Sequence, residues 1–156
     1  MNPQNVHAYI LGEHGDSEFP VWISAMIGGM LIKDDCLMCS KRKFCDRERE
    51  LTEIFEEVRT SAYRIIEKKG ETSYGIGLAL AQITQAILQD ENTILPVSCL
   101  INDYLGINNV YLGLPANINK LGVSRVLKIP LDTQEKELFR KSAQKLGDII
   151  EQIGLD

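Results

Sequence analysis

The chain has 156 residues, of which 44% are hydrophobic and 25% charged, with a formal net charge of -5 and a pI near 5.1. This length fits one ordinary domain, and the average composition excludes disordered and fibrous proteins. The acidic balance excludes a nucleic-acid interface, which needs clustered lysine and arginine.

The first predicted element is a strand at residues 5–11, where apolar and polar side chains alternate in NVHAYIL. It leads into the pentapeptide GEHGD at residues 12–16. Glycines on both sides of His14 suit a tight chain reversal, from which a polar side chain projects into a cleft. We expect Asp16 to orient this turn.

The next segment, PVWISAMIGGM, predicts a short helix that begins at Pro20 and ends at Gly28-Gly29. Residues 30–45 are predicted to form a loop. The basic run Lys41–Lys43 lies in that loop, and we interpret it as solvated because acidic residues follow it.

The same loop contains a cysteine cluster whose spacing could supply two ligands of a structural zinc site. A fourth ligand is not obvious, so we favour ordinary loop cysteines and expect no metal. Four cysteines in the whole chain are too few for a disulfide scaffold, which indicates a reducing compartment. The cluster consists of Cys36, Cys39 and Cys45.

No segment approaches the roughly 20 apolar residues of a membrane span. The N-terminal sequence MNPQNVHAYI also lacks the basic and apolar regions of a signal peptide. We therefore expect a cytoplasmic protein without a membrane partner.

Two long helices are predicted next, at residues 46–69 and 73–89. Apolar residues of the first follow three-and-four spacing, and Gly70 stands at the expected C-terminal cap. The second has Gly75 and Gly77 near its start. One face of the second helix carries Ile76, Ala79, Leu80, Ile83 and Ile87.

The remaining sequence predicts an antiparallel meander of three β-rich segments, followed by a helix at residues 133–153 that Asp132 and Glu135 introduce as a capping box. Short turns between strands indicate an α+β fold with long amphipathic helices. No Gly-x-Gly-x-x-Gly follows a strand, so a Rossmann domain is not encoded here.

The residues around His14 resemble a known family. The run from Asn5 to Glu18, with Pro-Val-Trp after it, resembles the active-site segment of bacterial-type L-lactate dehydrogenases. The stretch Lys69–Ile76 is similar to that family's Lys-Gly-x-Thr segment. Gly113-Leu-Pro and Gly122-Val-x-x-Val-Leu resemble its C-terminal sheet.

The resemblance covers essentially the whole chain but only half of the enzyme. It implies that residues 1–156 are the C-terminal catalytic, substrate-binding domain, and that the N-terminal NAD-binding domain is absent. The family's catalytic aspartate and substrate-clamping arginine belong to that missing half. We expect the isolated fragment to be nearly inactive.

The resemblance also implies roles for three residues. His14 would be the acid/base that exchanges a proton with pyruvate and lactate, while NAD carries the hydride. Thr72 would contact the substrate, although it could simply cap the helix that follows. Ile76 would lie near the nicotinamide ring, although it also fits the apolar stripe of its helix.

His7 is similar to the histidine that binds fructose 1,6-bisphosphate at a subunit interface of the bacterial enzymes, which are homotetramers. The alternative is a histidine on the wetter face of a strand. The nearest rival identity is a malate or other 2-hydroxyacid dehydrogenase, although Glu13 and Thr72 favour lactate. A different class is a non-catalytic oligomerisation module.

Overall fold

The computed structural model describes residues 2–34 and 46–154, which form six β-strands and four α-helices. A short 3-10 turn at Pro3–Asn5 precedes the first strand. In chain order the elements are β1 (Val6–Leu11), β2 (Phe19–Ile27), β3 (Met30–Leu31), α1 (Arg47–Arg59), α2 (Ser61–Lys69), α3 (Ser73–Leu88), β4 (Thr93–Ile101), β5 (Val110–Asn119), β6 (Gly122–Val126) and α4 (Thr133–Gln152).

The strands form two three-stranded sheets, ordered β1-β2-β3 and β4-β5-β6. Every pairing in the described part of the chain is antiparallel. The second sheet is the predicted meander, with β5 in its centre. An isolated antiparallel bridge between Gly12 and Gly113 links the end of β1 to β5. The α+β prediction is thereby confirmed.

The predicted helix that begins at Pro20 is wrong, because this segment is strand β2. Its buried residues occupy alternate positions, and pairing with β1 satisfies the backbone that a helix would have satisfied internally. The predicted loop after it also begins with the short strand β3. The alternating buried residues of β2 are Phe19, Val21, Ala25 and Ile27.

Strand β2 bulges in its middle, where its residues 22–25 stand opposite a single residue of β1. The N–H groups of Trp22 and Ile23 in this bulge donate to Oε1 of Glu135, at 2.8 and 3.1 Å. The other carboxylate oxygen accepts the N–H of Asp132 at 3.0 Å. The predicted capping box of α4 is present and also completes the hydrogen bonding of β2.

The predicted helix at 46–69 is divided at Thr60 into α1 and α2, and Gly70 ends α2 at φ 81° as expected. Helix α3 follows its prediction in extent, but only its C-terminal half packs on the second sheet, through Ala86 and its neighbours. Several of its apolar side chains are exposed, namely Tyr74, Ile76, Leu78, Leu80 and Leu88.

The main core lies between the sheets and α4, with Phe139 at its centre. The Phe139 ring is fully buried and meets Phe19 edge-on at 6.4 Å and Tyr104 at 5.1 Å between ring centroids. The Tyr104 hydroxyl donates to the carbonyl of Ile129 at 2.8 Å. Within residues 2–34 and 46–154, no helix has the length and apolar character to cross a membrane.

Candidate active site

The turn that carries His14 lies between β1 and β2 and is fastened to β5. The Gly113 N–H donates to the Gly12 carbonyl at 2.9 Å. Gly12 has a φ of +103°, and a Cβ there would stand 2.7 Å from Oγ of Ser142. A Cβ on Gly15 would overlap the carboxylate of Glu13. Both predicted glycines therefore have a steric reason to be glycine.

The carboxylate of Glu13 anchors the turn. It accepts hydrogen bonds from the hydroxyl and the backbone N–H of Ser17, and Lys145 Nζ lies 3.0 Å from its Oε2. The Ser17 hydroxyl and the Lys145 ammonium lower the pKa of Glu13, so it is ionised at neutral pH. Asp16, which we expected to orient the turn, has no such role assigned by these contacts. Asp16 is exposed, and its electrostatic neighbour is Arg59 of α1.

The imidazole of His14 projects fully into solvent from this turn. Its Nδ1 lies 3.9 Å from Oε2 of Glu18, so a protonated ring forms an ion pair with that carboxylate. Burial raises the pKa of Glu18, and the nearby charges of His14 and Arg59 oppose that rise. The site therefore places a solvent-exposed imidazole beside a largely buried carboxylate.

A cleft of about 830 Å³ opens beside His14. Its walls come from the turn, from the junction of α1 and α2, and from the facing parts of β4 and β5. A small ligand in this cleft could exchange a proton with the imidazole. Residues that line it include Glu13, Glu18, Arg59, Ser61, Ser98 and Tyr111.

Thr72 and Ile76 do not line the cleft beside His14. Thr72 occupies the N-cap position of α3, yet its side chain makes no capping hydrogen bond. The capping alternative is therefore not realised through the hydroxyl. Ile76 is 56% exposed, which contradicts its placement in a core stripe. The exposed Ile76 side chain is therefore open to contact with another molecule or domain.

His7 is exposed on β1, opposite Met26 of β2. Across the described ranges, no group of three or more histidine, cysteine or acidic side chains is arranged to hold a metal ion. Cys99 is a free, buried thiol whose pKa is raised by burial. The predicted loop cysteines Cys36, Cys39 and Cys45, and the basic run beside them, lie outside the described residues.

Sequence reasoning missed Ser142 and Lys145 of α4, which contact Glu13. Glu13 is separated in sequence from Ser142 by 129 positions and from Lys145 by 132 positions, so no local sequence pattern could reveal these contacts. The only signal was indirect. Lys145 is a basic residue on a helix that also supplies apolar residues to the core, among them its neighbours Ala143 and Leu146.

The geometry can be compared with known proteins. The family model described as lactate/malate dehydrogenase, alpha/beta C-terminal domain, matches residues 1–154. The chain is 49% identical to an L-lactate dehydrogenase of Latilactobacillus sakei over 150 residues, which are 96% of this chain and 45% of that protein. It is 49% identical to the L-lactate dehydrogenase of Bacillus caldotenax over 148 residues, 95% of this chain and 45% of the other.

Solved structures agree. A lactate dehydrogenase from a Medee basin deep-sea metagenome library superposes with a TM-score of 0.90 at 42% identity, covering 99% of this chain and 48% of the other. A minor L-lactate dehydrogenase from Enterococcus mundtii gives 0.89 at 33% identity, over 100% of this chain and 48% of the other. The chain spans about half the length of these relatives. It belongs to the lactate/malate dehydrogenase family, as that family's alpha/beta C-terminal domain.

Proposed function

We propose that this chain is the substrate-binding half of an NAD-dependent L-lactate dehydrogenase of the cytoplasm, with His14 as its acid/base. The observation that carries the proposal is the exposed imidazole of His14, held on an anchored turn beside a cleft large enough for a small ketoacid. The names of the relatives support lactate over malate as the product.

In the proposed reaction, protonated His14 donates its proton to the carbonyl oxygen of pyruvate, and in reverse it accepts the hydroxyl proton of lactate. NAD, when bound, supplies or takes up the hydride. The residues of this chain do not fit the cofactor's phosphates, because none of the described strands leads through a glycine-rich turn into a helix. The proposal therefore assigns the cofactor to the N-terminal half of the enzyme.

Thr72 is proposed to contact the substrate and Ile76 to face the nicotinamide ring. The uncommitted side chain of Thr72 and the exposure of Ile76 support these roles. Since neither lines the cleft beside His14, the proposal requires the N-terminal half to bring them against the bound ligands.

The test is reconstitution with a separately expressed N-terminal half of the Latilactobacillus sakei relative. The complex is expected to oxidise NADH in the presence of pyruvate, and His14→Ala is expected to abolish this activity. Lys141→Met, at an exposed position of α4, is the control and retains it. A folded complex without activity would refute the proposal, and faster turnover of oxaloacetate than pyruvate would favour a malate dehydrogenase.

His7 is proposed to bind a phosphate of fructose 1,6-bisphosphate where subunits of a homotetramer meet. Its exposure on β1 leaves the imidazole accessible to an anion. Calorimetry of the reconstituted complex with fructose 1,6-bisphosphate tests this. Equal affinity in wild type and His7→Ala would remove the residue from the site.

A second candidate is a non-catalytic oligomerisation module, favoured by the exposed apolar side chains of α3. It predicts concentration-dependent association of the chain in light scattering that His14→Ala does not alter. Association without any restored activity would support this candidate against the enzyme.

A further inference from the structure

Helix α4 reaches back to the turn that carries His14. The Glu13 N–H donates to Oγ of Ser142 at 2.6 Å, and Lys145 Nζ lies 3.0 Å from Oε2 of Glu13. Ser142 is 0% exposed, so its hydroxyl is confined by the surrounding side chains. The turn therefore has a rigid partner immediately before the histidine.

The single proton of each serine hydroxyl fixes the direction of these hydrogen bonds. An ionised carboxylate can only accept, so the Ser17 hydroxyl donates to Glu13. The Oγ atoms of Ser17 and Ser142 are 3.1 Å apart. Because the proton of Ser17 is already committed, Ser142 is the donor in this pair.

The result is a closed ring of hydrogen bonds. It runs from the Glu13 N–H to Ser142, from Ser142 to Ser17, and from Ser17 back to the Glu13 carboxylate. Lys145 supplies the opposite charge to that carboxylate. Hydrogen bonds that point in one direction around a ring strengthen one another, so the loss of one member weakens the rest.

We infer that Ser142 and Lys145 are positioning residues for His14 and act on it through Glu13. This inference rests on the proposed function, in which His14 transfers the proton. Among the described residues, the imidazole of His14 has one polar neighbour, the Glu18 carboxylate at 3.9 Å. The position of the imidazole therefore depends on the position of the His14 backbone. A displacement of about 1 Å at a reacting group costs roughly 100-fold in rate.

The kinetic test uses the reconstituted complex. Lys145→Met is expected to lower kcat by about 10- to 100-fold, because His14 no longer reaches the substrate in one fixed orientation. NADH affinity, measured by fluorescence titration, is expected to stay unchanged. Lys145→Arg keeps the charge and is expected to recover most of the loss. The matched control Lys141→Met should have wild-type kcat.

A second readout needs no activity. In ¹⁵N relaxation of the 156-residue chain, the amides of His14 and Gly15 should have order parameters of about 0.85 in wild type and below about 0.6 in Lys145→Met and Ser142→Ala. Amides of the β4-β5-β6 sheet report whether each variant is folded.

The two readouts separate the possible failures. An inactive wild-type complex would count against the proposed function, while the order parameters would still decide the role of α4. Folded Lys145→Met with a rigid turn and wild-type kcat would overturn the inference. If Ser142→Ala does not fold, the results for Lys145→Met alone test the inference. Lys145 is 42% exposed, so its replacement leaves the core intact.

Discussion

Replacing Glu135 by alanine should destabilise the fold more than any other single change at the start of α4. Its carboxylate accepts three backbone N–H groups, from Trp22, Ile23 and Asp132. The first two belong to the bulge of β2 and have no partner on β1. Glu135 is 5% exposed, so water reaches these groups poorly once the carboxylate is gone.

The size of the effect follows from the two bulge donors. Each buried N–H left without a partner costs about 1–3 kcal/mol, so Glu135→Ala should lower the free energy of unfolding by about 3 kcal/mol. Asp132 lies at a helix end, where water can accept a hydrogen bond from its N–H, so the loss of this partner adds little to the destabilisation. Glu135→Gln keeps one acceptor oxygen and should lose about half as much.

Urea denaturation followed by circular dichroism measures this difference, and the melting temperature of Glu135→Ala should fall by roughly 6–12 °C. Glu137→Gln, on the exposed side of the same helix, is the control and should remain within about 0.5 kcal/mol of wild type. A Glu135→Ala chain as stable as that control would refute the assignment of the carboxylate to the bulge.

Three further predictions concern the turn and the core. Gly12→Ala should cost about 2 kcal/mol or more in urea denaturation, because it adds a steric overlap to an unfavourable φ, whereas Gly28→Ala meets no atom and should cost less. The folded pKa of Glu13 lies below its ordinary value of 4.5, so ionised Glu13 stabilises the fold above that pH, and the contribution disappears as pH falls through the lower folded value. The stability difference between wild type and Glu13→Gln should therefore be largest near neutral pH and shrink in acid; a difference independent of pH would contradict this. Tyr104→Phe should lower the free energy of unfolding by about 1 kcal/mol, since it leaves the carbonyl of Ile129 without its donor, and the same urea titration would show no change if that hydrogen bond were unimportant.

The predictions from sequence that held are those with a local cause. Asp132 and Glu135 are three positions apart, and their capping box can be read from the sequence alone. Gly70 ends α2 in the left-handed conformation for the same kind of reason. The meander follows from short turns between β-rich segments. The glycines around His14 likewise predicted a tight turn there.

The predictions that failed depend on contacts between distant segments. Pro20 and Gly28 suggested the ends of a helix, but pairing with β1 decided the conformation of β2. The buried residues of β2 alternate along the sequence, as is typical of a strand. The helix prediction gave more weight to the proline and glycine at the two ends of the segment. The exposure of Ile76 could not be foreseen, because periodicity shows which face is apolar but not whether another element covers it.

The anchoring of His14 by α4 has a consequence for the order in which the molecule matures during synthesis. Ser142 follows Glu13 by 129 positions, so the ribosome completes the turn long before its partner exists. A nascent chain can pair β1 with β2 early, yet the histidine stays loosely held until α4 emerges and docks. Contacts between such distant positions also form slowly, because a long loop must close first. A fixed position for the His14 turn should therefore be among the last properties that this domain acquires.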